Sequence, residues 1–290
     1  MEIESGKFYD ISNWEYHHGI GSEWISKSML SYILDSARKF KHEFDNPESL
    51  DIFDEKAVKF NRGTVFHTSF LEPEKVEREI VTIPKFSGEG SRAASKEWKD
   101  KIRASGQTPI KSDYLDVIKA LNEMLDSGDY EVARNIIRGK DNFTEKSGFW
   151  EDPETGLRFK VRPDLIQSIK VIWDLKTHAS IKSFRRQAMD LNYDLQAVMC
   201  LDGVTAVTGT EHTQFGFIVF HVSEPPYDIE IVMADEDFIR SGREKFERAK
   251  GLYMSCVNSG KWPGKYEDEV RLLSPTRYRM EQLQGTIYHD

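Results

Sequence analysis

Between Phe149 and His178 the chain reads FWEDPETGLRFKVRPDLIQSIKVIWDLKTH, and the periodicity of this stretch leaves little choice of local structure. Leu157, Phe159, Val161 and Pro163 alternate with Arg158, Lys160, Arg162 and Asp164, the period-two pattern of a half-buried strand. Asp164 is therefore expected to share a face with three cations. Val171, Trp173 and Leu175 then alternate with Ile172, Asp174 and Lys176, which predicts another strand with a carboxylate and an amine side by side on one face. The turn residues Asp152, Pro153 and Gly156 join the first of these strands to one beginning near Phe149. Neighbouring strands lie roughly 4.8 Å apart, so pairing near the strand ends would bring Asp164, Asp174 and Lys176 to one point. Two carboxylates and a lysine there predict a divalent-metal site with a charged helper beside it.

The rest of the chain is read around that stretch. At 290 residues and 39% hydrophobic content, the chain can bury a sizeable core, and one catalytic domain is expected. No apolar run has the length of a membrane span, and MEIESGKFYDIS has neither a basic nor an apolar leader segment. Cys200 and Cys256 form no CxxC pair, so neither a disulfide framework nor a zinc site is suggested. A soluble protein of a reducing cytosol is expected. The net charge of −9 does not favour a nucleic-acid partner, because phosphate binding needs Lys and Arg. Net charge does not decide whether a local groove is basic, however. The cations cluster: Arg158, Lys160 and Arg162 on the expected site face; Lys182, Arg185 and Arg186 after it; Lys96, Lys99, Lys101 and Arg103 upstream. A solvated helix face is the plainer reading of the last group.

A helix is predicted from Ser26 to about Phe44, with Ser26 or Ser28 as its cap. A second, from about Asp54 to Leu71, stops before Pro73 and carries His67. Gly63 lies on the same face and would admit another backbone. Residues 85–112 read as a polar, mobile excursion around a lysine-rich helix, and further helices are expected near 112–126 and 129–138. Glu145 reads equally as a site carboxylate or as a solvated strand-edge residue. Helices are expected from Ser180 to Leu191 and from Tyr193 to Leu201, the latter placing Tyr193 and Gln196 on one face. Strands near 213–222 and 227–234 and a helix from about Asp235 to Val257 complete the expected fold, and the chain beyond Trp262 reads as irregular.

In this order, Gly63-Thr64-Val65-Phe66-His67, Leu71-Glu72-Pro73, Arg162-Pro163-Asp164, Asp174-Leu175-Lys176-Thr177 and Tyr193-Asp194-Leu195-Gln196 resemble the PD-(D/E)XK nuclease superfamily. Within it the order is similar to the RecE-type (exodeoxyribonuclease VIII) branch and, more distantly, to phage lambda exonuclease and AddB-type nuclease domains. The resemblance covers roughly residues 25–250. It implies an α/β fold: a central mixed sheet flanked by helices, with N-terminal helical additions, as a single domain over 1–290 with its core at about 25–257 and a tail from 258. It implies His67, Asp164, Asp174 and the Leu175 carbonyl as metal ligands, with Lys176 on the attacking water and Tyr193 and Gln196 on the scissile phosphate or that water. Hard oxygen donors with one imidazole suit Mg²⁺, with Mn²⁺ as a substitute, and two ions are expected in the reactive complex.

Further implications concern substrate and partners. The resemblance implies linear double-stranded DNA digested from its 5′ ends, a homo-oligomeric ring, and a single-strand annealing partner in a bacterial or phage-infected cytoplasm. Ser28, Arg158, Lys160, Arg162 and Arg185 are the expected DNA contacts. An endonuclease of the same superfamily and a non-catalytic DNA-end-binding module are the alternatives. No GxSxG, P-loop or GxGxxG signature competes.

Overall fold

The computed structural model describes residues 2–46, 51–88, 90–167, 171–179, 183–267, 269–275 and 279–280. Ser180 and Lys182 lie outside them.

Three serine hydroxyls start the first three helices. Ser12 caps the short helix α1 (Asn13–His17), which follows strand β1 (Lys7–Tyr9). Ser26 caps α2 (Lys27–Asp35) by accepting the Met29 N–H, and Ser36 caps α3 (Ala37–Asp45) by accepting the Lys39 N–H. The single helix expected over 26–44 is thus two, because the Ser36 backbone is extended and its side chain competes for helical donors. The cap is Ser26; Ser28 sits exposed inside α2.

Helix α4 (Glu55–Leu71) ends ahead of Pro73 as expected and is followed by a 3₁₀ turn, α5 (Val76–Glu79) and β2 (Ile80–Thr82). Gly63 of α4 has nothing within 4 Å of where a Cβ would stand, so it does not admit a packed backbone. The lysine-rich helix is α6 (Ser91–Ser105), and β3 (Thr108–Ile110) returns to pair in parallel with β2. Helices α7 (Ser112–Asp126) and α8 (Glu131–Ile137) follow.

The strands that matter most come next: β4 (Phe143–Thr144), β5 (Ser147–Glu151), β6 (Arg158–Val161), β7 (Leu165–Ile166) and β8 (Val171–His178). The alternation of residues 157–164 does not run through as one strand. Pro163 offers no N–H to a ladder, and the chain changes sheet there. β6 pairs with β5 in a small β1-β5-β6 sheet, whereas β7 joins the main sheet. Asp164 consequently does not share a face with Arg158, Lys160 and Arg162.

After β8 come α9 (Phe184–Asp190), α10 (Tyr193–Thr208), β9 (Gln214–His221), β10 (Asp228–Met233) and α11 (Glu236–Ser259). The main sheet runs β10-β9-β8-β7-β4, with β8 and β9 parallel and the other pairs antiparallel. Both of its faces are covered. Ile172, Phe215, Phe217 and Val219 pack with α2, α10 and α11 on one side. Val171, Trp173, Leu175, Ile218 and Phe220 pack with α4, α7 and α8 on the other. The fold is therefore α/β with helices on both faces of a central mixed sheet, and β8 is buried on both sides from Val171 to Leu175. No helix among the described residues is long and apolar enough to cross a membrane. Just after α11 two residues anchor the irregular chain: Trp262 stacks on Phe40 at 5.3 Å and Glu267 pairs with Arg38 at 2.7 Å.

Two glycines give opposite expectations. A Cβ on Gly203 of α10 would stand 2.7 Å from Val161 Cγ2 and 2.8 Å from Trp150 Cζ3, so Gly203→Ala should destabilise by about 1–3 kcal/mol, the scale of overpacking. Gly63→Ala adds a methyl to open space in a helix and should stabilise by about 0.5–1 kcal/mol. Urea unfolding of both variants reads the difference; a Gly203→Ala protein as stable as the parent would contradict the packing of α10 on β5 and β6.

Candidate active site

The register of one strand pair assembles the site. Leu165 lies opposite Trp173 and Ile166 opposite Ile172, and the same register one step further sets Asp164 opposite Asp174. Asp164 is 5% exposed, and its Oδ2 accepts the Leu175 N–H at 2.6 Å. The Asp164 carbonyl in turn accepts the Glu145 N–H at 3.2 Å. Glu145 lies between β4 and β5 with φ of 51°, a left-handed conformation uncommon for a residue with a Cβ. That turn sends its carboxylate back toward Asp164. From the facing layer, His67 of α4 reaches the same point, with Nδ1 3.3 Å from Glu145 Oε1 and 3.4 Å from Asp164 Oδ1. Helix α4 is held there by Val65, Phe66 and Phe70, which are buried beneath it, with the Phe66 and Phe70 rings against Phe220.

Asp174 faces a different set of partners. Its Oδ1 accepts from Gln196 Nε2 at 2.5 Å and its Oδ2 lies 2.5 Å from Lys176 Nζ. Gln196 is in position because α10 is locked onto α11: buried Asp194 accepts from Ser241 Oγ at 2.7 Å and from Lys245 Nζ at 2.9 Å. Gly242 leaves room for the Asp194 carbonyl, which a Cβ there would strike. The Tyr193 ring lies 4.7 Å from Lys176 Nζ, so the ammonium is held between a carboxylate and an aromatic face.

The residues expected from sequence fall into two groups. His67, Asp164, Asp174, Leu175, Lys176, Tyr193 and Gln196 are brought together. The strand cations are not. Lys160 is 3% exposed, and its ammonium donates to the Tyr16 and Gly21 carbonyls at 2.6 and 2.8 Å. It cannot reach a DNA phosphate from there. Arg162 donates to Ser147 Oγ and the Ile11 carbonyl, and Arg158 reaches Glu23 at 3.3 Å. These three side chains bind the N-terminal segment to β6, a role that alternation alone could not reveal. Ser28 and Arg185 are exposed on α2 and α9. Glu145, left open by the sequence, stands inside the cluster.

The donor set fits a divalent cation. Ligand atoms of His67, Glu145 and Asp164 all lie within 4.8 Å of one another, giving two carboxylates and an imidazole, a combination of hard oxygens and one nitrogen suited to Mg²⁺ or Mn²⁺. Asp174 is outside this convergence: its Oδ1 accepts from Gln196, and its buried Oδ2 has the Lys176 ion pair but no hydrogen bond. Burial pushes the Asp174 carboxyl up, to about 6; Lys176 opposes this and the Asp164 charge adds to it. Burial acts against the Lys176 ammonium, but Asp174 and Asp164 keep it charged.

His67 carries a pH consequence. Burial lowers its proton affinity, but the Asp164 charge and the hydrogen bonds that the ring donates to Asp164 and Glu145 outweigh it, raising the group well above the ordinary 6.5. A base raised on folding contributes stability that is complete below its unfolded value and is lost as pH rises through its folded value. In chelator, the parent should therefore lose melting temperature above pH 6.5 relative to His67→Gln. Parallel melting curves for the two proteins across that range would contradict the arrangement.

Comparison with known proteins agrees with the architecture. A crystal structure from Eubacterium rectale, provisionally named an exonuclease, superposes with a TM-score of 0.59 at 13% identity, covering 96% of this chain and 99% of its own. That likeness establishes the fold alone. SSO0001 aligns over 64% of this chain and 85% of its own at 14% identity, but its TM-score of 0.28 carries no argument. No curated protein matches. The model of the family described as "PDDEXK-like domain of unknown function" (DUF3799) matches residues 26–269, a span that holds the whole cluster from His67 to Gln196, and the chain belongs to that family.

Proposed function

We propose that this chain is a divalent-metal-dependent deoxyribonuclease, a single catalytic unit that digests linear double-stranded DNA from its 5′ ends. The observation that carries the reading is the convergence of His67, Glu145 and Asp164 beside the Asp174–Lys176 pair. Its polarity rests on the resemblance of the motif order to RecE-type enzymes, as do a ring-shaped oligomer, a single-strand annealing partner, and a bacterial or phage-infected cytoplasm.

His67, Glu145 and Asp164 would hold the ion, Mg²⁺ or in its place Mn²⁺, with Asp174 and the Leu175 carbonyl completing the ligands for it and for a second ion. A bound dication would polarise the phosphoryl oxygen and acidify a water molecule. The side chains supply the rest. Lys176 has no lone pair while it is an ammonium, so it acts on the phosphate and its attacking water, by donating hydrogen bonds to charge that develops during the reaction. Gln196 fixes the Asp174 carboxylate, and Tyr193 limits the positions open to the Lys176 ammonium. Ser28, Arg158 and Arg185, being exposed, are available to phosphates; buried Lys160 is not, and Arg162 is largely committed to Ser147 and the N-terminal segment.

One assay separates the readings: 5′-labelled linear duplex, 3′-labelled linear duplex and closed circular duplex, each with Mg²⁺. Early release of the 5′ label with the circle intact is expected. Cutting of the circle would replace this reading with an endonuclease, and binding without cleavage would replace it with an end-binding module. Two sets of variants follow. Asp164→Asn and Glu145→Gln should each weaken Mn²⁺ binding in calorimetry by ~10-fold or more, since even outer-shell partners cost ~10–100-fold. Lys176→Gln keeps a donor for buried Asp174 but carries no charge, so it should retain Mn²⁺ binding and a near-parental melt. Single-turnover cleavage should nevertheless slow by ~10²–10³, the scale for one preorganised donor. An unchanged rate in that variant would remove Lys176 from the chemistry.

A further inference from the structure

The proposed nuclease site makes no use of a groove outside its own residue set. It lies along α6, measures about 580 Å³, and is lined by Arg92, Lys96, Lys99 and Arg103 together with Phe86 and Asp100. The cations occupy positions i, i+4, i+7 and i+11, which a period of about 3.6 residues brings onto one face. They form a stripe about 16 Å long at about 1.5 Å per residue. Four cations and one carboxylate give the lining a formal charge of 4 − 1 = +3, on a chain whose total is −9.

The stripe is built, not merely accumulated. Arg103 is anchored by Asp51 at 2.6 Å and Asp100 at 2.7 Å. Lys99 Nζ stands 5.2 Å from the centre of the Phe53 ring, and Trp98 lies 5.7 Å from Phe53 and 6.1 Å from Phe86. Arg92 and Lys96 are exposed, and among the described residues no carboxylate lies within ion-pair distance of Arg92, Lys96 or Lys99. Such cations in a row, with the Phe86 ring in the same lining, suit a polyanion whose charges repeat along a line. At about 3.4 Å per phosphate on one strand, the stripe matches about five phosphates. Asn61 of α4 donates to the Ile52 carbonyl, next to the Asp51 that anchors Arg103, and to the Pro109 carbonyl of β3, at 2.9 and 3.1 Å, and the same helix carries His67 six residues on.

We propose that the α6 groove is a second nucleic-acid contact, in which Arg92, Lys96 and Lys99 bind the phosphodiester backbone of DNA held at the metal cluster. This rests on the nuclease reading for the identity of its polyanion. It would account for DNA affinity in an acidic protein whose strand cations Lys160 and Arg162 are occupied elsewhere.

Salt dependence tests it without cleavage. Fluorescence anisotropy with a labelled oligonucleotide, single-stranded in one arm and duplex in the other, is recorded in chelator across a salt series. Each phosphate contact contributes about 0.9 to the slope of log K against log salt for duplex and about 0.7 for a single strand. Lys96→Gln should flatten the slope by one such increment, and Arg92→Gln/Lys96→Gln/Lys99→Gln by about 2.7 on duplex or about 2.1 on single strand; the arm showing the larger fraction of its increment identifies the bound form. Lys101→Gln removes the same charge from the opposite face of α6 and should leave the slope unchanged. Unchanged slope and affinity in the triple variant would overturn the groove while cleavage still supported the nuclease. The flattened slope in a protein that never cleaves would keep the groove and overturn the nuclease. Failure of the parent to bind either oligonucleotide, or equal losses from Lys96→Gln and Lys101→Gln, would also overturn the groove.

Discussion

A single backbone donor, the Leu175 N–H, holds the cluster in place. By donating to Asp164 Oδ2 at 2.6 Å it fixes the carboxylate that Glu145 and His67 approach, and it does so from a central strand of the sheet. The Asp164 backbone passes this order on, because its carbonyl receives the Glu145 N–H and so stabilises a left-handed residue that strain would otherwise disfavour. Hydrogen bonds to charged acceptors are about twice as strong as neutral ones, and the Leu175 bond acts on a carboxylate that is only 5% exposed.

The lock between α10 and α11 shows how buried charge is used elsewhere. Asp194 is fully buried yet has Ser241 and Lys245 as partners. Such a pair adds little net stability over an apolar alternative, and removing one partner is costly. Its physical effect is to make one rotation of α10 far better than its neighbours. With that rotation set, Gln196 meets Asp174 and Tyr193 meets Lys176.

Much of this was legible in the sequence, for local reasons. Asp174 and Lys176 follow from the two-residue repeat of a strand, and Tyr193 and Gln196 from the repeat of a helix; both are properties of a few consecutive residues. Glu145 was only half legible, open between site carboxylate and strand-edge residue, because its place depends on a backbone bond to Asp164, 19 residues later. Lys160 and Arg162 were misplaced for a related reason: their alternation with apolar residues is real, but Pro163 moves the chain to another sheet, and their partners are carbonyls near Tyr16 and Ile11 that no periodicity encodes. The division of the first long helix at Ser36 was similarly hidden, since a serine is neutral in pattern and decisive only through its backbone.

β7 is only two residues long, and this has an architectural consequence. Beside Asp164 the sheet runs out, so a helix from each layer can reach one of two facing carboxylates: α4 Asp164 through His67, α10 Asp174 through Gln196. The two layers pack as separate apolar clusters and share only the sheet between them. The cluster is thus a vernier for their alignment, in which a sub-ångström slide of one layer, invisible in either interior, changes the spacing between imidazole and carboxylates. Volume errors in one layer would be corrected by compensating changes in that layer alone, and activity would report the misalignment before stability did.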